Sequence, residues 1–427
     1  MSDAQSTHEA TPVNTSRSQP NSTHPGTPAH SAPVSSNRFR RDPATWVAYL
    51  QLGLFAFLID GYAPTVPLLA EETGLPLSIA SLHGTAFGIG VLVTGAFLDL
   101  LGKKMSRHAR SWLGIAGMST GILVYVLSLT PALTLSGMLI AGFGGSLTLA
   151  SANAELSERH GFFGSRAVGE GAAVSQGFGV LAPAIIGVLA ATILGWRGGL
   201  VMLAFGSIML VIFRLVLSRK ALPATAPVPT HAAHHVIEHR RGGITLRFAL
   251  VWVTNALLLG IEFSLAMWAP TYLRLHSNLD APTATGSLAV MLLGMFIGRF
   301  VFARFTSPGV LDRLIVISIA VFGAGFALFW LVPQPFISLT GLFIAGLGIA
   351  AQSPVSLSRL IESAKGRTDL ATAGGAVALG VALVFAPFAL GVLGDVIGIR
   401  FGILLAPALA LLTLALLPVT RINRMPR

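Results

Sequence analysis

The chain contains the stretch IAGFG at residues 140–144 and the stretch IAGLG at residues 344–348, 204 positions later. Other short matches lie at similar spacings. They are residues 63–65 (APT) with 269–271, Ser81 with Ser287 and Gly88 with Gly294, each 206 positions apart, and residues 182–183 (AP) with 386–387, 204 positions apart. A nearly constant spacing over several segments indicates an internal duplication, so we expect two equivalent halves that pack as similar units.

The composition places most of the chain in lipid. Of the 427 residues, 53% are hydrophobic and 11% are charged, and the mean hydropathy is +0.75. Crossing roughly 30 Å of hydrocarbon takes about 20 helical residues, and backbone groups in lipid must be paired within the segment. The sequence therefore predicts an all-α membrane protein with twelve spans, at residues 46–69, 79–101, 109–129, 133–154, 168–192, 197–217, 247–271, 284–305, 313–332, 336–357, 371–394 and 397–419.

The formal charge of +11 is explained by membrane orientation. With the N-terminus inside, 25 of the 28 Lys and Arg residues fall on the cytoplasmic side, and only Arg197, Arg274 and Arg400 fall outside. The positive-inside rule then predicts a multi-pass protein of the cell membrane with both termini in the cytoplasm. Basic side chains in this distribution face anionic lipid, so the bilayer is the expected partner and nucleic acid is excluded.

Polar stretches separate the predicted domains. Residues 1–45 are rich in Ser, Thr, Pro and His, which predicts a disordered cytoplasmic tail. Residues 218–246 are predicted to be a cytoplasmic linker between six-helix bundles at 46–217 and 247–420, and residues 421–427 a cytoplasmic C-terminus. The linker contains four His residues, but without cysteines or regular ligand spacing we predict no metal site.

The end of the second span reads GAFLDLLGKK at residues 95–104. This resembles the signature of the major facilitator superfamily, and with twelve spans in two repeats the resemblance covers about residues 45 to 420. It implies two pseudo-symmetric six-helix bundles and a conformational latch, in which Asp99 caps the start of the eleventh span near Ala371. The latch residues would be Gly95, which admits a close backbone, Asp99, Gly102, which permits a tight turn, and Lys103 and Lys104. The 206 spacing places Phe305 opposite Asp99, so the second half lacks the acid.

Two acids lie within predicted spans, Asp60 in the first and Glu262 in the seventh. A charge near the bilayer centre costs on the order of 3 kcal/mol, so such groups usually face a wet cavity. The two spans are equivalent members of the repeats, which predicts that both acids face one central cavity from opposite bundles. Partial removal from water favours the protonated carboxyl group, so we expect Asp60 and Glu262 to couple transport to protons. A hydrogen-bonded structural acid is the alternative.

Further candidates for substrate binding surround these acids. The residues Gly260 to Ser264, followed by Trp268, are similar to the seventh span of sugar and proton symporters of the superfamily, which implies an acid and an aromatic ring near the solute. Trp268 is equally compatible with the aromatic belt at the membrane surface. Arg299 either extends to the inner surface, binds an anionic substrate, or pairs with an acid. Other polar residues within spans, which either line the cavity or join helices, are His83, Asn255, Gln176 and Gln352.

These features favour a secondary active transporter that moves a small organic solute by alternating access, with proton-coupled symport ahead of drug or metabolite efflux by antiport. The stretch GVLAPAIIG at 179–187 looks like a degenerate antiporter motif, although a role in helix packing and kinking is favoured for it. Met138 stands where drug antiporters usually carry Arg. A membrane-embedded enzyme would need convergent catalytic groups that the sequence lacks, and a channel would need rings of like charge. We expect no cofactor, and a monomer is the default for this architecture.

Overall fold

A computed structural model describes Phe39, residues 41–128, 130–220, 244–305 and 309–420, without the side chains of residues 99, 217–220, 368 and 369. Within these ranges all regular secondary structure is helical. The N-terminal half contains α1 (Pro43–Tyr62), α2 (Val66–Thr73), α3 (Leu77–Lys104), α4 (Arg107–Leu127), α5 (Pro131–His160), α6 (Gly164–Ala190) and α7 (Gly195–Lys220).

The C-terminal half repeats this series with shorter pieces. It contains α8 (Leu246–Ser277), α9 (Ala281–Gly286), α10 (Leu288–Ala303), α11 (Leu311–Leu331), α12 (Pro335–Ile349), α13 (Gln352–Ser363), α14 (Thr368–Ile397), α15 (Ile399–Gly402) and α16 (Leu405–Leu416). We call the end of the molecule where α1 begins the terminal face and the opposite end the far face.

Eleven stretches of the described chain are long and apolar enough to cross a membrane. The longest, Pro131–Ala190, has 60 residues and contains both α5 and α6. These two helices run in opposite directions, because the end of α5 and the start of α6 both contact the start of α1. His160 lies 2.8 Å from Thr45 Oγ1, and Tyr49 donates to Glu170 over 3.1 Å. Counting α5 and α6 separately gives the twelve crossings of the predicted fold.

The first helix begins at Pro43, three residues before the predicted span and inside the predicted tail. Asp42 caps it by accepting from the backbone N–H of Thr45 at 2.9 Å, and proline suits the first helical turn because its missing N–H would have no helical partner. At the other boundaries, α7 continues to Lys220 and α8 starts at Leu246. Residues 1–38, 40, 221–243, which include the linker histidines, and 421–427 lie outside the described residues, so these domain assignments stay predictions.

Glycines allow the helices of each half to approach closely, and they correct the register of the repeat. A Cβ atom on Gly90 would collide with the carbonyl oxygen of Leu139, and one on Gly294 with that of Phe343. Gly294 is therefore the counterpart of Gly90, not of Gly88, and the spacing in this span is 204. The residue opposite Asp99 becomes Ala303 rather than Phe305, so the second half still lacks the acid. Other equivalent glycine contacts, each 204 positions apart, are at Gly121 and Gly325, Gly137 and Gly341, Gly142 and Gly346, and Gly144 and Gly348.

The two bundles meet mainly where α3 packs against α14 and where α6 packs against α9 and α10. Towards the far face the contacts are close: Thr85 donates to the carbonyl of Val384 at 2.8 Å, and a Cβ on Gly187 would lie 2.7 Å from the backbone of Gly286. The ion pairs found near the terminal face join residues of the same bundle. They are Arg41 with Glu170, Asp42 with Arg159, Arg107 with Glu158, Arg166 with Glu170, and Asp312 with Arg359. The bundles are thus fastened at the far face.

Candidate functional site

A cavity of about 280 Å³ lies between the bundles. Its walls come from α1, α5 and α6 of the N-terminal bundle and from α8 and α10 of the C-terminal bundle. The apolar part of the wall includes Leu52, Phe55, Ile59, Leu149, Phe263 and Leu292. The polar part consists of Asp60, Asn153, Ser175, Gln176, Glu262 and Arg299. A small number of polar groups in an apolar wall is typical of a small-molecule site.

The carboxyl group of Asp60 lies directly against α6. A Cβ atom on Gly179 would collide with Asp60 Oδ2, so only glycine leaves room for the carboxyl group at this point. Asp60 has no hydrogen-bond partner among the described residues and opens into the cavity. The glycine contact therefore fixes the acid beside the cavity without neutralising it.

Glu262 and Arg299 bring charge to the same cavity from the C-terminal bundle. Asp60 interacts electrostatically with both, and Glu262 interacts with Arg299. Arg299 Nη1 donates to Gln176 Oε1, a partner that none of the three sequence-based interpretations of Arg299 included. Two carboxyl groups and one guanidinium leave one excess negative charge when both acids are ionised, and a proton on one acid removes it.

The acids are not related by the repeat. The 204 spacing places Ser264 opposite Asp60 and Leu58 opposite Glu262. At the 206 spacing of residues 63–65 the counterparts are Ala266 and Ala56. The cavity is therefore asymmetric. The N-terminal bundle contributes an acid that packs against a glycine, and the C-terminal bundle contributes an acid and a cation.

Three of the predicted polar candidates lie within single bundles, away from this cavity. His83 is fully buried between the carbonyl of Ala80 and the hydroxyl of Thr134, each 2.8 Å from a ring nitrogen. Asn255 Oδ1 accepts from Ser356 at 2.5 Å. Gln352 is buried at the start of α13, and its amide has no hydrogen-bond partner in the described part of the chain. Of the four polar residues predicted to line the cavity or join helices, Gln176 is the one that lines this cavity.

Trp268 is fully buried and does not line the cavity. Its indole N–H donates to the carbonyl of Pro387 at 3.0 Å, which joins α8 to α14 inside the C-terminal bundle. The indole therefore faces neither the membrane surface nor the solute space in this conformation.

The predicted latch residues lie at the terminal-face end of α3. A Cβ on Gly95 would have no neighbour within 4 Å, so no backbone approaches it closely here. Gly102 lies inside the helix, which runs to Lys104, so the expected turn at Gly102 is wrong; the chain leaves the helix at Met105. Lys103 and Lys104 are exposed in the last turn. The side chain of Asp99 lies outside the described residues, so the latch stays a prediction.

The contacts that join the bundles at the far face were not predicted from the sequence. Asp395 of α14 accepts from the backbone N–H groups of Leu77 at 2.9 Å and Ser78 at 2.8 Å, and so caps the start of α3 across the bundle interface. Glu71 and Arg274 form an ion pair between the bundles at the same face. Asp395 stands close to a span end in the sequence, where a carboxylate is ordinary, so no local signal distinguishes it.

Asn153 and Ser175 of the cavity wall, and Gly179 against the carboxyl group of Asp60, were not among the site residues predicted from the sequence. Gly179 stood at the start of a degenerate motif and was available as a signal, since a glycine facing an acid across two helices suggests a close contact. Asn153 lies next to the end of a predicted span and resembles an ordinary polar boundary residue, and a serine such as Ser175 inside a span carries no distinguishing local signal.

The sequence matches the family model of the Major Facilitator Superfamily over residues 46–376. This match covers most of the chain, and together with the helical fold it assigns the protein to a family of membrane transporters. The chain belongs to the Major Facilitator Superfamily. No curated protein sequence matches it significantly.

Solved transporter structures share the fold at low identity. A bacterial homologue of the human lysosomal transporter Spinster, in an inward-facing and unoccupied conformation, has a TM-score of 0.71 and 15% identity, with 90% of this chain and 98% of that chain covered. The nucleoside transporter NupG has a TM-score of 0.64 and 16% identity, with 88% and 97% covered. At these identities the similarity concerns the fold alone.

Proposed function

We propose that this protein is a proton-coupled symporter of a small organic solute. The observation that carries the proposal is the cavity between the bundles, in which Asp60 and Glu262 from opposite bundles face one shared space. Cavities of this kind lie at the repeat interface of secondary transporters, and rocking of the bundles exposes them to each side in turn. No ATPase signature occurs in the sequence, so an ion gradient is the energy source.

We propose that the protein lies in the cytoplasmic membrane. The terminal face would then be on the cytoplasmic side. The distribution of Lys and Arg supports this orientation. The conformation is then inward-facing, since the contacts between the bundles fasten the far face. The similarity to an inward-facing transporter structure agrees with this assignment. In the outward-facing state the latch at Asp99 would close the cytoplasmic side.

The polar groups of the cavity suit a solute with hydroxyl or amide groups. Carboxylates and the amide oxygens of Asn153 and Gln176 accept hydrogen bonds, and Arg299 donates them. Phe55 and Phe263 offer flat apolar surfaces to a sugar or base ring. Nucleosides and hexoses are therefore the first solutes to test, and the nucleoside transporter among the structural neighbours points in the same direction.

Two measurements test the coupling. A thermal-shift screen of the purified protein against nucleosides, hexoses and organic cations selects a solute that binds. That solute is then added outside proteoliposomes that contain a pH-sensitive dye and start with no gradient. Symport is expected to acidify the lumen, and Asp60→Asn and Glu262→Gln are expected to abolish the acidification while binding persists. Alkalinisation of the lumen would assign antiport instead, and unchanged proton movement in both variants would remove the acids from coupling.

A further inference from the structure

Two charged groups of the cavity meet on one face of α6. Arg299 of α10 donates to Gln176, and Asp60 of α1 lies against Gly179. Residues three apart on a helix are neighbours on the same face. Helix α6 thus contacts Arg299 of the opposite bundle and Asp60 of its own bundle at neighbouring positions.

Two carboxyl groups near Arg299 would bind its guanidinium more strongly than its present hydrogen-bond partner, the amide of Gln176, does. A carboxylate binds a guanidinium more strongly than an amide carbonyl does, because it is charged and accepts two parallel hydrogen bonds. Both Asp60 and Glu262 interact with Arg299 electrostatically, yet its hydrogen bond within the described chain goes to the amide of Gln176. The amide therefore holds the cation near the acids without forming an ion pair.

Gly179 sets the distance between Asp60 and α6. A methyl group there would push the carboxyl group away from the helix and into the cavity, where Arg299 and Glu262 lie. Gly177, two residues earlier, would have no neighbour within 4 Å of its Cβ position. The close contact is thus specific to one glycine of the two.

We propose that Gln176 and Gly179 are positioning residues for proton coupling, which keep Arg299 and Asp60 apart at neighbouring places on α6. The inference rests on the proposed function, in which Asp60 binds a transported proton. While Arg299 stays on Gln176, Asp60 has no ion-pair partner and retains its proton. When the bundles rock, α6 and α10 shift against each other at the cavity, the Arg299–Gln176 bond breaks, and Arg299 becomes able to pair with an ionised carboxyl group.

The titratable and charged groups that surround Asp60 are few. Glu262 faces it from α8, Arg299 from α10, and Tyr62 interacts with it from α1. The wall formed by α5 and α6 contributes the neutral groups of Asn153, Ser175 and Gln176 to the cavity. Arg299 is therefore the cation whose position decides how readily Asp60 ionises.

The test is infrared difference spectroscopy of the full-length protein in liposomes as the pH is raised. A protonated carboxyl group has a C=O band that the carboxylate lacks, and Asp60→Asn identifies the band of Asp60 by removing it. Gln176→Leu and Gly179→Ala are each expected to lower the pH at which this band is lost by on the order of one unit, or tenfold in proton affinity, because Arg299 then pairs with Asp60. Gln176→Asn, which keeps an amide, is expected to shift it less.

Matched variants separate this effect from a general disturbance of packing. Gly177→Ala adds the same methyl group to open space on α6, and Gln352→Leu removes a buried amide outside the cavity. Both are expected to leave the band where it is in the unmodified protein. A different outcome is that Asp60→Asn removes the band while Gln176→Leu and Gly179→Ala leave its titration pH unchanged, as the controls do. That result would overturn the positioning role of Gln176 and Gly179 but not the role of Asp60 as a proton-binding acid. If neither Asp60→Asn nor Glu262→Gln removes a band, the proposed coupling itself fails.

Discussion

The indole of Trp268 has one hydrogen-bond donor, and in this fold that donor is used inside the protein. The side chain is fully buried, and its N–H reaches the carbonyl of Pro387. The neighbouring acid, Glu262, lies six residues earlier on the same helix but faces the cavity. The rotation of the helix therefore gives Trp268 a structural place in the core and Glu262 a place in the cavity wall, although the two are only six residues apart.

Trp268→Phe is expected to lower stability and leave solute binding unchanged. The substitution keeps most of the apolar volume but removes the buried hydrogen bond from the indole to the carbonyl of Pro387, at a cost of about 1 kcal/mol. Thermal unfolding of the purified protein measures the first effect, and thermal shift with the bound solute measures the second. Trp46→Phe is the control, because Trp46 is 46% exposed and a similar substitution there removes no buried hydrogen bond. A weaker solute response in Trp268→Phe alone would return Trp268 to the binding site.

The contact between α3 and α14 operates at the scale of elements. A helix N-terminus carries unpaired N–H groups and about half a positive charge. Asp395 satisfies two of these groups on α3 although it belongs to the other bundle. The predicted latch would pair the same two helices at the opposite end, with Asp99 of α3 at the start of α14. Each helix of the pair would then carry the acid that caps the other, one in each conformational state.

Asp395→Asn is expected to open the far face more often. An amide loses one of the two acceptor oxygens and the negative charge, a change of about 1 kcal/mol for a helix cap, or roughly fivefold in the equilibrium between states. The chain has no cysteine, so Ser81→Cys introduces a single thiol at a position that is buried beside Gly391 of the opposite bundle. Maleimide labelling of this thiol is expected to be several-fold faster with Asp395→Asn.

Asp280→Asn is the matched control for the labelling experiment. Asp280 also caps a helix at the far face, but it accepts from Thr283 in its own bundle. Its replacement is expected to leave the labelling rate of the Ser81→Cys thiol unchanged. Equal acceleration by both variants would mean that helix stability, and not the contact between bundles, limits opening.

At the scale of the whole molecule, the fold consists of two six-helix bundles that the Arg299–Gln176 bond joins at the cavity and that further polar contacts join at the far face. The ion pair of Glu71 with Arg274 and the cap formed by Asp395 both cross the interface at the far face. The ion pairs described near the terminal face stay within their bundles. A rocking motion of the bundles would therefore break this small set of contacts at the far face and leave the ion pairs within each bundle intact.

Joining the bundles at the far face is expected to stop transport. The double variant Glu71→Cys with Arg274→Cys, treated with a short bifunctional thiol reagent, should lose solute transport, and a cleavable spacer should restore it on reduction. Each single variant is expected to retain uptake, because an exposed ion pair contributes only about 0 to 1 kcal/mol. Full uptake by the cross-linked protein would contradict a rocking motion of the bundles.

The sequence by itself determined the class of fold. Apolar runs of membrane-crossing length require helices, and the duplication requires two similar bundles, because both depend on local composition and spacing. It also identified Asp60, Glu262, Arg299 and Gln176, since charged or amide groups inside apolar spans are rare enough to notice.

Only the tertiary structure decided how these residues are used. Three contacts join residues that are far apart in the chain: the packing of Asp60 against Gly179, the Arg299–Gln176 hydrogen bond, and the cap that Asp395 forms on α3. These contacts depend on how each helix is rotated and offset against its neighbours. Likewise the 204 register of α3 and α10 appears in the glycine contacts and not in the short sequence matches. Side chains at similar depths in a helix face cavity, core or lipid according to that rotation, which no single span specifies.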